Sequence, residues 1–257
     1  MEYLEPKVAR DMPGLRLALT AHMPAPYSMA ARAVLDYRKV PYTPVLQVGA
    51  GGNEDLVAWT GHRNAPVAVY ENEPPRTGWL DILNLAERLG EGPSLVPADL
   101  VTRQRMIGWI NELIGENGLI WQARLIMLGL GGPERAAREA DRNPMYGAYG
   151  YSEAARSAAP ARVAEILDGF TAFTRAALDR PDGQKFLMGG DTLSALDIYW
   201  VYFSQLLKTL PHEECPMPEM LRKSYDRGSE VIGGCDPILI EQRDWVRRHY
   251  LPGPMTF

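Results

Sequence analysis

The chain has 257 residues, of which 46% are hydrophobic and 23% are charged, and its formal net charge is −5 at pH 7. This composition is that of an ordinary globular protein and excludes a chain that is disordered as a whole. The length suffices for two modest domains. Because the chain is mildly acidic, we expect no nucleic-acid partner.

The cysteines and the apolar segments exclude several further classes of protein. Cys215 and Cys235 form no C-x-x-C pair, so neither a dithiol redox motif nor a structural zinc site is expected. The run 212–215 (HEEC) has metal-ligand residue types, but adjacent residues rarely converge on one ion, and we predict no metal site. No apolar run approaches the ~20 residues of a membrane helix, and the N-terminus does not resemble a signal peptide. We therefore expect a cytoplasmic protein without a membrane partner.

The first ninety residues alternate between strand and helix patterns. Residues 15–21 (LRLALTA) predict a buried strand, and a helix follows from about Ser28, a plausible N-cap, to Lys39. Strands at 40–48 and 66–70, a short helix after Asn53 and a helix from about 78 to 89 complete the pattern. This order predicts an α/β domain over residues 14–91.

The rest of the chain shows helical patterns only. Helices are predicted over 99–130, 133–142, 160–179, 194–207, 217–231 and 236–250, with MYGAYGYS as a loop. The helix that opens at Ser194 is apolar on every side, so it is predicted to be buried. Ser194 and Asp197 have the spacing of a capping box. We predict an all-helical domain over residues 99–250.

Four motifs, in chain order, resemble those of the glutathione S-transferase superfamily. APYSMAARAVLDYRKVPYTP resembles its active-site loop and first helix, and NAPV at 64–67 resembles its cis-proline turn. SLVPAD at 94–99 resembles its interdomain linker, and GDTLSALDI at 190–198 resembles the capping motif of its helical domain. The resemblance implies a thioredoxin-like N-terminal domain followed by an all-helical bundle. It also implies glutathione as cosubstrate and a homodimer.

The same resemblance implies where glutathione would bind. Its contacts would be Ala25, Pro26 and Tyr27 in the active-site loop, Ala65 and Pro66 in the proline turn, and Thr77 and Gly78 before the last helix of the first domain. The N-terminus of a helix at about 27–29 would stabilise a thiolate. A cis peptide before Pro66 would present the backbone of Ala65 for strand-like pairing with a peptide ligand.

The chain departs from the superfamily at the residue that activates the thiol. The position that is Cys or Ser in many members is Ala25, and the Tyr position of other classes lies near Ala21. The nearby candidates for catalysis are Ser28 and His22. Ser28 would otherwise cap its helix, and His22 would otherwise face solvent.

A second departure lies in the turn that binds the glutamyl group. The superfamily places an acidic residue and a serine there, whereas this chain has Thr77-Gly78 or, in the alternative register, Gly78-Trp79. No carboxylate is thus predicted to pair with the ammonium group of the tripeptide. Arg76 would instead attract a carboxylate of a different ligand, or remain solvated.

Aromatic residues of the helical half have two interpretations. They would line an apolar pocket for a second substrate, or form part of the helical core: Trp109, Trp121, Met127, Tyr146, Tyr149 and Tyr151.

The leading hypothesis is a glutathione transferase that conjugates or exchanges thiol on a small apolar electrophile. The alternatives are a non-catalytic binding or assembly module of the same fold, and an enzyme that uses another ligand.

Overall fold

A computed structural model describes all 257 residues. The chain forms three β-strands, twelve α-helices and one short 3₁₀ helix. In chain order the elements are α1 (Pro6–Ala9), β1 (Leu15–Thr20), α2 (Pro26–Tyr37), β2 (Thr43–Gln47), α3 (Glu54–Thr60), β3 (Val67–Tyr70), α4 (Trp79–Leu89), α5 (Leu100–Ile114), α6 (Leu119–Leu128), α7 (Pro133–Ala140), α8 (Met145–Ala148), α9 (Glu153–Leu178), α10 (Ala195–Phe203), the 3₁₀ helix (Ser204–Leu206), α11 (Glu219–Ile232) and α12 (Pro237–Tyr250).

The contacts divide the chain into two compact units. Unit 1 comprises residues 1–96, 212–217 and 253–257, and unit 2 comprises residues 97–211 and 218–252. The division at Val96 lies in the segment that the sequence analysis left between 91 and 99. None of the twelve helices combines the length and the apolar character that a membrane-spanning segment requires.

Unit 1 is built around a small mixed sheet with strand order β2-β1-β3. β1 runs parallel to β2 and antiparallel to β3. All six residues of β1 are buried, as the sequence predicts for a strand covered on both faces. Helices α1 and α3 cover the face of the sheet on which Ala18 lies, and their residues Ala9 and Leu56 pack there. Helix α2 packs on β1 and on α4. A single bridge, Ala68 to Arg76, extends the sheet beyond β3.

The first helix of the α/β unit begins earlier than its sequence pattern predicts. α2 starts at Pro26, with Ala25 as N-cap, so the prediction that Ser28 caps the helix is wrong. Proline suits the first helical position because its fixed φ is helical and its missing N–H has no partner there anyway. α1 has no counterpart in the sequence analysis, because one turn over PKVA is too short to show a period.

Unit 2 is all-helical. The predicted rod over 99–130 breaks into α5 and α6 at residues 115–118, where Gly115 and Gly118 flank the turn. α9 begins at Glu153, before the predicted start, because the Ser152 side chain accepts a hydrogen bond from the amide of Ala155. The segment MYGAYGYS, predicted as a loop, contains the single-turn helix α8.

The core of unit 2 is α10, whose nine residues are all buried. Its capping box is present: Asp197 accepts hydrogen bonds from the backbone N and the Oγ of Ser194 at 2.9 and 2.6 Å. α5 and α12 pack against α10. The indole of Trp200 donates to the carbonyl of Leu239 at 2.8 Å, which ties α10 to α12.

Candidate functional site

No side chain caps the N-terminus of α2, so its first amides are left for a ligand group. Its N-cap, Ala25, has an extended backbone (φ −73°, ψ 111°) and carries no side chain that caps the helix. Ala25 is half-buried and the following Pro26 is buried. The first amides of a helix lack intrahelical acceptors and carry partial positive charge, so this end favours an anion such as a thiolate.

Ser28, a catalytic candidate, lies in the interior of unit 1. Its side chain is only 3% exposed, and its Oγ accepts a hydrogen bond from the backbone amide of Thr20 at 3.0 Å. The Oγ1 of Thr20 in turn donates to Oε1 of Gln47 at 2.7 Å. The hydroxyl of Ser28 therefore joins α2 to the end of β1, and its catalytic role stays a prediction that this burial does not favour.

The other candidates in the loop before α2 are nearer the surface. His22 is exposed and has a left-handed backbone (φ 62°), and its ring lies 6.1 Å from that of Tyr3, edge to face. Burial raises the pKa of Tyr3, and the nearby positive charge of Arg32 partly offsets the rise. Tyr27, in the first turn of α2, is half-buried. Of the two catalytic candidates, Ser28 and His22, only His22 has a solvent-accessible functional group.

The proline turn has the geometry that the resemblance implies. The Ala65–Pro66 peptide bond is cis, Pro66 is buried and Ala65 is half-buried. Neither the amide nor the carbonyl of Ala65 makes a hydrogen bond within the chain. An unpaired backbone segment at a strand start is a template for pairing with an extended ligand.

Strand register brings three predicted segments to one end of the sheet. β1 and β3 are antiparallel, with Ala18 opposite Val67. Continuing this register by two residues places Thr20, the end of β1, opposite Ala65. The antiparallel bridge between Ala68 and Arg76 directs the next residues, Thr77 and Gly78, back toward the start of β3. The loop into α2, the proline turn and the start of α4 therefore share this end of the sheet. We refer to these three segments as the sheet-end site.

The turn before α4 has no polar cap of its own. Gly78 is the N-cap of α4 and Thr77 is exposed. A β-carbon on Gly78 would lie 2.8 Å from Oδ2 of Asp81, which folds back over the turn from the first turn of α4. The sequence predicts no carboxylate for this part of the site, whereas the structure places that of Asp81 there. An acid three residues after a glycine N-cap was the available signal.

Arg76 is already paired within the chain. Its guanidinium donates to Oε2 of Glu73 at 2.5 Å, and Arg88 donates to both carboxylate oxygens of Glu73 at 2.7 Å. The hydrogen bonds from Arg88 and Arg76 lower the pKa of Glu73. This ion-pair triad opposes the hypothesis that Arg76 is available for a carboxylate of the ligand.

The aromatic residues of unit 2 fall into separate clusters. Trp109 packs with Phe170 and Phe173 at centroid distances of 5.3 and 5.1 Å, which is core packing. Trp121 contacts Tyr149 at 4.7 Å.

A further aromatic pair lies in the segment of unit 2 that contains Tyr149. Tyr146 contacts Tyr151 at 4.9 Å, and the Tyr146 hydroxyl donates to the carbonyl of Leu128 at 2.8 Å.

Cys215, at the end of the HEEC run, is fully buried, and no group of three or more His, Cys, Asp or Glu side chains is placed to hold a metal ion.

No protein-family model matches this sequence, and no curated protein matches it either. Solved structures of glutathione S-transferases are similar in fold. One from Methylobacillus flagellatus KT, with GSH bound, has a TM-score of 0.61 at 13% identity and covers 94% of this chain and 100% of its own. One from Methylobacterium radiotolerans JCM 2831, in complex with glutathione sulfonate, has a TM-score of 0.58 at 16% identity, with 95% and 97% covered.

A third similar structure carries a different enzyme name. The beta-etherase LigF from Sphingobium sp. strain SYK-6 has a TM-score of 0.54 at 15% identity and covers 90% of this chain and 99% of its own. These likenesses establish that the chain has the glutathione S-transferase fold. The predicted fold class, a thioredoxin-like unit followed by an all-helical one, is confirmed.

Proposed function

We propose that the chain is a glutathione S-transferase-like protein that binds glutathione at the sheet-end site. The observation that carries the proposal is the unpaired backbone of Ala65, which lies at the sheet end shared with the starts of α2 and α4. A tripeptide that pairs with this backbone would extend the sheet by one short strand. The glutathione bound in solved structures of the same fold supports this choice of ligand.

The residues of the site have distinct tasks in this proposal. Ala25, Pro26 and Tyr27 would border the thiol, Ala65 and Pro66 would hold the middle of the tripeptide, and the glutamyl end would lie against Thr77 and Gly78. The site lacks a hydroxyl at Ala25, so the thiolate would depend on the amides and the dipole of α2. His22 is the remaining group that would act as a base.

The reaction we propose is thiol transfer to a small apolar electrophile. The glutathione sulfur forms a bond to an electrophilic carbon, the bond from that carbon to its leaving group breaks, and the thiol proton goes to solvent or to His22. The N-terminus of α2 lowers the free energy of the thiolate and so favours the attacking species at neutral pH.

A non-catalytic binding module is the second candidate function. It is favoured by two observations: Ala25 offers no group to the thiol, and the Ser28 hydroxyl is buried and accepts from Thr20. In this case the sheet-end site would bind glutathione or another peptide without turnover.

Titration calorimetry with glutathione and with S-hexylglutathione tests the proposal. We expect dissociation constants between micromolar and low millimolar, together with a rise in Tm, because a ligand of the native state stabilises it. Conjugation to an activated aryl halide then separates the two candidates: turnover supports the transferase, and binding without turnover supports the module. No heat and no shift in Tm at several millimolar ligand would contradict the transferase and would favour a module that binds another ligand.

We further propose that the protein acts as a cytoplasmic homodimer, as the resemblance implies. Light scattering on the purified chain should give twice the mass of one chain, and a monomeric mass would contradict the dimer.

A further inference from the structure

Two side-chain amides meet at one backbone carbonyl beside the proline turn. The carbonyl of Arg63 accepts hydrogen bonds from Nε2 of Gln47 and from Nδ2 of Asn53, each at 3.3 Å. Gln47 is the last residue of β2, and Asn53 is the N-cap of α3. Because Arg63 lies two residues before Ala65, the segment that leads into the proline turn is held by the sheet and by the loop after β2.

Gln47 places an amide where packing alone would favour an apolar side chain. It is only 3% exposed, and a buried amide is costly unless its polar atoms have partners. Its Oε1 accepts from Oγ1 of Thr20 at 2.7 Å. Its Nε2 donates to the carbonyls of Val48 and Arg63 at 2.9 and 3.3 Å. Its polar atoms are therefore all paired, with partners on three different segments at this end of the sheet.

The hydrogen bonds of Gln47 continue to the start of α2. Carbonyls only accept, so the NH₂ group must face Val48 and Arg63 and Oε1 must face Thr20. The hydroxyl of Thr20 then donates to Oε1, and its oxygen accepts from Oγ of Ser28 at 3.4 Å. Aligned hydrogen bonds of this kind polarise and strengthen one another. Three buried side chains thus connect the first turn of α2 to the proline turn.

Asn53 makes the second connection to the proline turn. Its backbone is left-handed (φ 53°), a conformation in which asparagine is enriched, and its side chain does not cap α3. Oδ1 accepts from the amide of Val48 at 2.9 Å, and Nδ2 donates to the carbonyls of Val48 and Gly51 at 2.9 and 3.1 Å. The side chain of Asn53 therefore closes the loop after β2 and joins it to Arg63.

We propose that Gln47 and Asn53 are positioning residues of the sheet-end site. By fixing the carbonyl of Arg63, they hold Ala65 where its free amide and carbonyl pair with an extended ligand. A segment that is already ordered loses little freedom on binding, which raises affinity. The inference rests on the proposed function, because it concerns the binding of the same peptide ligand.

The test measures the order of the proline turn and the affinity for glutathione in the same variants. Gln47→Met keeps a side chain of similar size and removes three hydrogen bonds. Nitrogen-15 relaxation should give the Ala65 amide an order parameter of about 0.85 in wild type and below about 0.6 in Gln47→Met. Titration calorimetry should show about two- to tenfold weaker binding of glutathione, as for the loss of one hydrogen bond.

Two further variants separate positioning from a loss of packing. Asn53→Asp keeps the acceptor for the Val48 amide but removes the donor to Arg63, so it should weaken glutathione binding by a similar factor. In Gln47→Glu, only the protonated carboxyl has a donor for Arg63, and burial raises its pKa. Its affinity for glutathione, relative to that of wild type, should therefore fall as the pH rises from 5 to 8.

Gln122→Met is the matched control. Gln122 is also buried, and its Nε2 donates to Oδ1 of Asn117 at 2.6 Å, so the same substitution removes a hydrogen bond within unit 2. It should lower stability and leave the order of Ala65 and the affinity for glutathione as in wild type.

An Ala65 amide that stays ordered in Gln47→Met, or an affinity per folded molecule that equals that of wild type, would overturn the positioning role while the proposed function stands. If wild type does not bind glutathione, the proposed function fails and the positioning role fails with it. Should Gln47→Met not fold, Asn53→Asp and the pH series on Gln47→Glu decide, because unchanged affinity in both overturns the proposal.

Discussion

The Oγ of Ser28 accepts a hydrogen bond from the backbone amide of Thr20 at 3.0 Å, and both residues are buried. This bond satisfies the last amide of β1, at the point where the chain leaves the sheet toward α2. The first turn of α2 is thereby fixed to the end of the central strand. The hydroxyl of Ser28 thus supports the geometry of the site, and its catalytic role stays a prediction.

Replacing Ser28 with alanine should destabilise the fold more than it changes ligand binding. The substitution leaves the Thr20 amide buried without its acceptor, which costs about 1–3 kcal/mol in the free energy of unfolding. Urea denaturation measures this loss. The affinity for glutathione per folded molecule should stay within about threefold of wild type, an energy of less than ~1 kcal/mol.

Ser157→Ala is the control, since Ser157 is exposed on α9, and it should change stability by less than ~0.5 kcal/mol. Unchanged stability of Ser28→Ala with a large loss of conjugation rate would instead identify Ser28 as catalytic.

Much of the fold is predictable from the sequence because its signals are local. The capping box of Ser194 and Asp197, the alternation of strands and helices before residue 91 and the Pro-bearing turn at Pro66 each depend on a few adjacent residues. The start of α2 is less predictable, because Ser28 and Pro26 are both good helix-start residues and only packing decides between them.

The candidate site is harder to predict because its contacts join distant residues. The hydroxyl of Ser28 meets Thr20, and Arg76 and Arg88 meet on Glu73, at separations that no sequence period encodes. The position of Asp81 over Gly78 depends on a side-chain rotamer, which the sequence does not reveal.

Replacing Ala25 with serine should stabilise α2. Ala25 has the extended backbone of an N-cap, and a serine hydroxyl there would accept a hydrogen bond from a first-turn amide. We expect a gain of about 1 kcal/mol and a rise in Tm of roughly 2–4 °C. Ala58→Ser, at an exposed site within α3, should instead cost about 0.5 kcal/mol.

The same Ala25→Ser variant tests the transferase hypothesis. A hydroxyl at the helix start gives the thiolate one more donor, and one such donor accounts for roughly 10²–10³ in rate in the strongest cases. A measurable increase in conjugation would support thiol chemistry at this end of α2. Greater stability with unchanged turnover would favour the binding module.

Replacing Arg76 with alanine should leave glutathione affinity unchanged. Arg76 donates to Glu73, and Arg88 continues to bind that carboxylate when Arg76 is absent. The measurement is calorimetric titration of Arg76→Ala beside Arg88→Ala, which removes the other partner of Glu73. A selective loss of affinity in Arg76→Ala would show that its guanidinium contacts the ligand and would revive the altered-ligand hypothesis.

The stability of unit 2 should depend on pH through Asp197. This residue is fully buried, and burial raises the pKa of its carboxyl to about 6, although four hydrogen bonds from Ser194, Leu187 and Gln242 oppose the rise. In the unfolded chain the pKa is about 4. Between those values the folded state binds more protons than the unfolded state, so acidification favours folding.

Urea denaturation of wild type and Asp197→Asn between pH 4 and pH 7 measures this contribution. Asparagine does not titrate, and it also loses an acceptor in the capping box, so the variant should be less stable at every pH. The difference in the free energy of unfolding should be largest near pH 4 and shrink by about 3 kcal/mol as the pH rises to 7, because two pKa units correspond to that energy. Asp226→Asn, at an exposed site on α11, is the control and should give no such trend. Curves for wild type and Asp197→Asn that stay parallel across this range would mean that Asp197 remains ionised in the folded chain, with its four donors outweighing its burial.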